Sequence, residues 1–150
     1  MAGFGAKGPD PQQRCPCGGG SEAASYARCC RPLHRQERAA ATAEQLMRSR
    51  YSAFALAEIE YLLRTQPSEE PMPARRRSLE ASCRKLRWVG LEIVATEAGG
   101  PHDLEGTVTF LAHYSAAGKR GTLRECSRFG REAGRPDGAW LYLEAIELSE

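Results

Sequence analysis

Four cysteines, Cys15, Cys17, Cys29 and Cys30, fall within sixteen residues of a 150-residue chain. The run reads Cys15-Pro16-Cys17-Gly18-Gly19-Gly20, then a short polar stretch, then Tyr26-Ala27-Arg28-Cys29-Cys30. Two close pairs of thiols across a glycine turn can converge on one point, which is what a tetrahedral zinc ion requires. Stable disulfides need an oxidising compartment. Residues Met1 to Gln13 have no apolar run of the kind an export signal needs, so a cytoplasmic location is expected. No later stretch approaches the ~20 apolar residues of a membrane span. Clustered cysteines in that setting favour metal or redox chemistry. Ordinary buried or disulfide-bonded cysteines, and a redox-active pair at Cys29 and Cys30, are the competing readings. Cys83 and Cys126 lie apart and read as packing residues.

The cluster also divides the chain. Residues 1–13 are rich in Gly, Pro and polar side chains and read as a disordered tail. Residues 14–38 form the zinc knuckle, and residues 39–150 form the main domain. The knuckle has few apolar residues beyond Tyr26 and Leu33, so its fold should depend on the metal. The main domain has apolar faces of its own, so it is expected to fold without residues 1–38.

Thr42, followed three residues later by Gln45, marks a helix start. Leu46, Met47, Tyr51, Phe54 and Ala55 then share one face, with Arg48, Ser49 and Ser52 pointing elsewhere. A short helix over 58–64 ends at a segment with three prolines, and a further helix spans 74–85 with Leu79, Cys83 and Leu86 as its apolar stripe. After Arg87 the period changes toward two, predicting strands over 88–96, 104–115, 122–131 and 139–148, with a turn at Gly118 to Gly121. Helices followed by strands at hairpin spacing define an α+β domain with an antiparallel sheet.

On the third strand Leu123, Glu125, Ser127 and Phe129 share a face. Glu125 and Ser127 are unusual there. Either they face a pocket, with Glu125 as a base or ligand anchor, or Glu125 forms a structural ion pair with an arginine of the first long helix. Arg48 and Arg50 lie about 200° apart around that helix, so at most one faces Glu125. Arg48 is the expected partner. Arg48, Arg50, Tyr51, Glu125, Ser127 and Trp140 are the candidate pocket residues, although core packing explains Trp140 equally well. Of the histidines, His102 and His113 read as surface residues. Arg75, Arg76, Arg77, Arg84, Lys85 and Arg87 make a basic helix without interleaved aromatics, so no specific nucleic acid is expected. The net charge of +2 adds nothing in that direction. No nucleotide-binding glycine motif is present in the sequence.

Cys15, Cys17, Gly18, Gly20, Tyr26, Cys29 and Cys30 resemble the SEC-C motif, the zinc knuckle also found at the C-terminus of SecA. The spacer from Cys17 to Cys29 is longer than usual and holds Glu22 and alanines in place of lysines. Beyond it, the Leu46 to Phe54 segment with Arg48-Ser49-Arg50-Tyr51, then Tyr61-Leu62, Trp88 to Ile93, Glu125 to Phe129, and Trp140 with Tyr142 are similar in order to the YchJ family. That resemblance implies a SEC-C knuckle followed by a domain similar to nuclear transport factor two. Such a domain is a cystatin-like cone, in which a curved sheet wraps a helix and often leaves a pocket. Many such chains carry a second SEC-C motif at the C-terminus; this sequence shows none before Glu150. The resemblance implies zinc as cofactor and a protein or ribosome-associated partner for the knuckle. A small-molecule ligand or an enzymatic activity in the cone is the alternative. A deep cavity containing Glu125 and an arginine favours the latter.

Overall fold

A computed structural model describes residues 8–19 and 24–150. Most of the expected tail, and Gly20 and Glu22 of the spacer, lie outside the described residues. The part of the tail that is described is anchored. The carbonyls of Pro11 and Gln13 accept hydrogen bonds from the amides of Ala27 and Tyr26, at 2.9 and 2.8 Å. The knuckle therefore begins before residue 14, because these carbonyls extend its backbone pairing.

The helices are α1 (Arg31–His34), α2 (Ala43–Leu56), α3 (Ile59–Arg64) and α4 (Met72–Lys85). Thr42 caps α2 by accepting from the Gln45 amide at 3.0 Å. The Gln45 side chain in turn accepts from the Ala41 amide at 2.7 Å, one residue earlier than in a standard capping box. Helix α4 starts earlier than expected, because Pro73 sits in its first turn, where its missing N–H costs nothing. None of its residues is fully buried; Leu79 and Cys83 pack at the edge of the core.

The strands β1 (Arg87–Ala98), β2 (Glu105–Ala116), β3 (Lys119–Arg131) and β4 (Trp140–Ser149) form one antiparallel sheet in sequence order. The β2–β3 turn is tighter than expected. Ala117 and Gly118, both at positive φ, make a two-residue connection, so pairing runs out to Ala116 and Lys119. Register shifts interrupt β1 at Val89 and Val94, and β4 at Leu143 and Ile146. Bulges of this kind bend a strand and tighten its twist. Here they curve the sheet around α2. They also explain why Val89, Val94 and Ile146, though large and apolar, are exposed.

The sheet's concave face supplies Val108, Phe110, Ala112 and Phe129 to the core, and α2 answers with Leu46, Met47 and Tyr51. The same continuous core includes Cys15, Cys17, Tyr26, Cys30 and Leu33. Knuckle and cone thus share one interior. The reason is that α2 is buried on two sides. Its Ser49 and Ser52, which lie off the apolar stripe, are fully buried beneath the knuckle. No helix among the described residues is long and apolar enough to cross a membrane.

Candidate functional site

The knuckle is built from a short hairpin and a helix start. The Cys15 amide donates to Ala24 O at 3.1 Å, and Arg14 bridges Ser25. Gly18 and Gly19 follow Cys17 at φ of +90° and +71°, a left-handed turn that side chains resist. That turn lets the Gly19 amide donate to the Cys17 sulfur at 3.3 Å. Cys29 ends the one-turn helix Tyr26–Arg28, and Cys30 opens α1, so adjacent residues reach the same point.

All four sulfurs lie within 4.8 Å of one another. Cys17 to Cys29 is 3.5 Å, Cys17 to Cys30 is 3.7 Å and Cys29 to Cys30 is 3.9 Å. Four thiolates at the metal–sulfur distance of ~2.3 Å stand about 3.8 Å apart along tetrahedral edges. The donor set therefore fits a tetrahedral metal, and the separations are those of free thiols rather than disulfides. Crowding drives the acidities apart. Hydrogen bonds from Cys17, Cys29 and Cys30 hold Cys15 far below the ordinary thiol range. Cys29 and Cys30 are pushed up, first by their hydrogen bonds to Cys15. Four buried negative charges cannot coexist there without a cation.

His34 joins the knuckle to the cone. Its Nε2 lies 2.8 Å from Ser49 O, and a carbonyl can only accept, so Nε2 carries the proton. Nδ1 then accepts from the Tyr26 hydroxyl at 2.6 Å. Burial lowers the His34 pKa and so favours this neutral form. Tyr61 packs against the ring and donates to Ser49 Oγ at 2.6 Å, while Ser49 donates to Leu46 O. His34 stands in no motif of the sequence. Its position one helical turn after Cys30 was the available signal, since i and i+4 share a face.

On the opposite side of α2 the cone holds a cavity of about 230 Å³. Its walls are largely aromatic, from Tyr51, Phe54, Trp88, Phe110 and Tyr142. Arg50 and Glu125 both line it. Arg50 is only 5% exposed. Its Nη1 donates to Leu62 O at 3.1 Å and to Thr65 Oγ1 at 2.6 Å, and Nη2 donates to Gln66 Oε1 at 2.9 Å. It thereby caps the C-terminal end of α3, a favourable place for a cation. It makes no ion pair among the described residues. Burial lowers its pKa to about 10, which leaves it charged at neutral pH.

Glu125 Oε2 accepts from the Ser127 hydroxyl and, at 2.9 Å, from the Tyr142 hydroxyl. The Tyr142 ring lies 4.9 Å from the Arg50 guanidinium carbon. Tyr142 thus stands between the cation and the carboxylate, and burial raises its own pKa to about 12. The expected Arg48–Glu125 pair is not formed. Arg48 faces the knuckle, bonding Glu44 Oε2 at 2.9 Å and Cys17 O at 2.8 Å. Arg50 instead shares the row of Met47 and Phe54, three and four residues away, which the cavity also uses. Tyr51 lines the cavity edge-on to Trp88 at 6.0 Å. Ser127 is buried beneath Glu125. Trp140 lies outside the cavity, bonded to Ala41 O at 3.1 Å and covered by Arg131. Tyr142, for which the sequence leaves core packing and ligand stacking equally open, is the residue that organises the site. The β4 bulges broke the alternation that could have marked it.

A helix wrapped by a bulged antiparallel sheet and backed by a four-thiol knuckle defines a class: a SEC-C motif joined to a cone of the nuclear-transport-factor-two type. The family described as "YchJ, middle NTF2-like domain" matches residues 42–145. A UPF0225 protein of Ralstonia nicotianae is 43% identical over 91% of this chain and 92% of its own length. One from Streptomyces coelicolor is 44% identical over 89% and 95%. Among solved structures, a SEC-C motif protein of Psychrobacter arcticus superposes with a TM-score of 0.72 at 29% identity, over 93% of this chain and 85% of that one. Another from Rhodopseudomonas palustris gives 0.69 at 28%, over 86% and 96%. The chain belongs to the YchJ, or UPF0225, family.

Proposed function

We propose that this chain is a small-molecule-binding protein, with a structural zinc ion in the knuckle and the ligand in the cone cavity. One observation carries the reading. Arg50 is buried beside open space with no carboxylate partner among the described residues, across Tyr142 from Glu125. A charge is costly to bury unless something repays it, and a binding partner in the cavity does so. Four thiolates favour zinc over harder cations. The knuckle's large apolar side chains, Tyr26 and Leu33, are buried against the cone, which supports a scaffolding role for the ion rather than a docking one. Among the cavity's described lining residues there is no His, Cys, Ser or Lys, and the one carboxylate, Glu125, is already held by two hydroxyl donors, so binding is the simpler assignment.

The test is a screen of single-ring compounds by ligand-observed NMR, on the native chain and on Ala112→Leu. Ala112 lines the cavity, and the added bulk should occlude it. Binding to the native chain that disappears in the variant is expected. Binding that survives Ala112→Leu, or no binding at all, overturns the reading. Metal analysis of protein purified with reduced thiols should find one zinc per chain.

A further inference from the structure

Resting on the cone as a binding site, we infer that its ligand is a single-ring aromatic carboxylate carrying a hydrogen-bond donor at the far end of the ring. The argument starts with what Arg50 has left to give. Nη1 is occupied by Leu62 O and Thr65 Oγ1, and one Nη2–H by Gln66. The Nε–H and the other Nη2–H make no hydrogen bond to the described residues. A planar carboxylate is the partner that such donors recognise most strongly, through charge-assisted hydrogen bonds.

Glu125 sets the other end. Its Oε2 is taken by Ser127 and Tyr142, while Oε1 accepts from none of the described residues. A carboxylate with an open acceptor selects an N–H or O–H group. The two ends are spaced by Tyr142, whose face meets Arg50 and whose hydroxyl meets Glu125. A para-substituted ring lying alongside Tyr142 spans about the same length. It also keeps its own carboxylate one ring away from Glu125, where repulsion is weakest. An unsubstituted anion leaves Glu125 without a donor, and a plain amine leaves Arg50 without a counter-ion.

The remaining walls fit a ring. Tyr51, Phe54, Trp88 and Phe110 offer faces and edges for aromatic stacking. At about 230 Å³ the cavity falls below the roughly 300–1,000 Å³ typical of drug-sized ligands, which limits the occupant to one ring.

The probes are para-aminobenzoate, benzoate and aniline, titrated into the full native chain while following the Trp88 indole resonance by NMR. Para-aminobenzoate should bind at least tenfold more tightly than either of the others. In Glu125→Gln the preference for para-aminobenzoate over benzoate should shrink toward unity, because benzoate no longer meets a negative charge. Comparing aniline with para-aminobenzoate tests Arg50 without mutating a residue that caps α3. Equal binding of aniline and para-aminobenzoate overturns the inference at its carboxylate end. Equal binding of benzoate overturns it at its donor end. If none of the three binds while other single-ring compounds still bind and are excluded by Ala112→Leu, the ligand class is wrong and the binding reading stands. If nothing binds the cavity, both fall.

Discussion

Helix α2 has two buried faces, and they are finished differently. Toward the knuckle, Ser49, Ser52 and Ala53 are fully buried, and both serine hydroxyls are engaged. Ser52 Oγ contacts the Cys15 sulfur at 3.4 Å, and His34 ties Ser49 O to Tyr26. Toward the sheet, Met47, Arg50, Tyr51 and Phe54 surround open space, and two charged groups keep unused hydrogen-bonding capacity. A fully satisfied face contributes stability and specificity of packing. A face left open at that cost is where binding belongs. The comparison can be broken by changes on either side, which should differ sharply in stability.

The largest effect should come from removing the knuckle. Deleting residues 1–38, or chelating the metal, should leave no cooperative thermal transition by circular dichroism. Structural zinc supplies ~10–16 kcal/mol in isolated knuckles, while a whole domain is stable by only about 5–15 kcal/mol. Without the knuckle, Leu46, Ser49 and Tyr61 would lose their cover. A truncated chain that melts cooperatively near the native temperature would show that α2's second face is dispensable.

Next is the His34 junction. His34→Phe fills the space, leaves the Tyr26 hydroxyl without its partner and removes the ring's bond to Ser49 O. A buried orphan costs roughly 1–3 kcal/mol and the lost bond adds to it, so the variant should lose about 3 kcal/mol, or ~6–12 °C in melting temperature for a domain of this size. The pH dependence has a definite sign. Burial depresses the folded pKa of His34 below its ordinary 6.5. Above that value both states are neutral and the contribution is complete. As pH falls below it, the unfolded chain takes up a proton that the folded chain refuses, and stability declines. With zinc saturating, the native chain should lose more stability between pH 7.5 and 5.5 than His34→Gln does. Parallel losses would separate His34 from the acid sensitivity.

How legible was this from sequence? The four thiols, the capped α2 and the four strands were, because ligand spacing and period are local signals. The second buried face of α2 was not. Serines at 49 and 52 read only as lying off the apolar stripe, since a small polar residue under a knuckle has the same local pattern as one in water. The choice of Arg48 over Arg50 failed for the same reason. Both flank the apolar stripe, and only the placement of the knuckle decides which edge is covered and which enters the cone. Bulges at Leu143 and Ile146 likewise have no signature in alternation, so Tyr142's role emerges only in three dimensions.

On the open face, Arg50→Met should cost about 2 kcal/mol by urea melt. It removes the hydrogen bonds to Leu62 O, Thr65 and Gln66 that close the end of α3. It also relieves the desolvation of a buried charge, which is why the loss should stay below that of His34→Phe. A larger loss would make Arg50 a structural keystone rather than a site residue.

The smallest effect is the most telling. A buried Glu125–arginine ion pair would make Glu125→Gln cost ~3 kcal/mol, the usual scale for removing one partner. No such pair exists among the described residues, and Glu125 is held by two hydroxyl donors. An amide oxygen can accept from both Ser127 and Tyr142, so those contacts survive the substitution in weaker form. The lost charge–dipole strength is offset in part by the lower desolvation cost of a neutral group. Glu125→Gln should therefore melt within about 1 kcal/mol of the native chain. A loss near 3 kcal/mol would place Glu125 among the structural residues and equate the two faces of α2. An unchanged melt, with ligand preference altered, keeps them distinct: one face built to hold the fold, the other to hold something else.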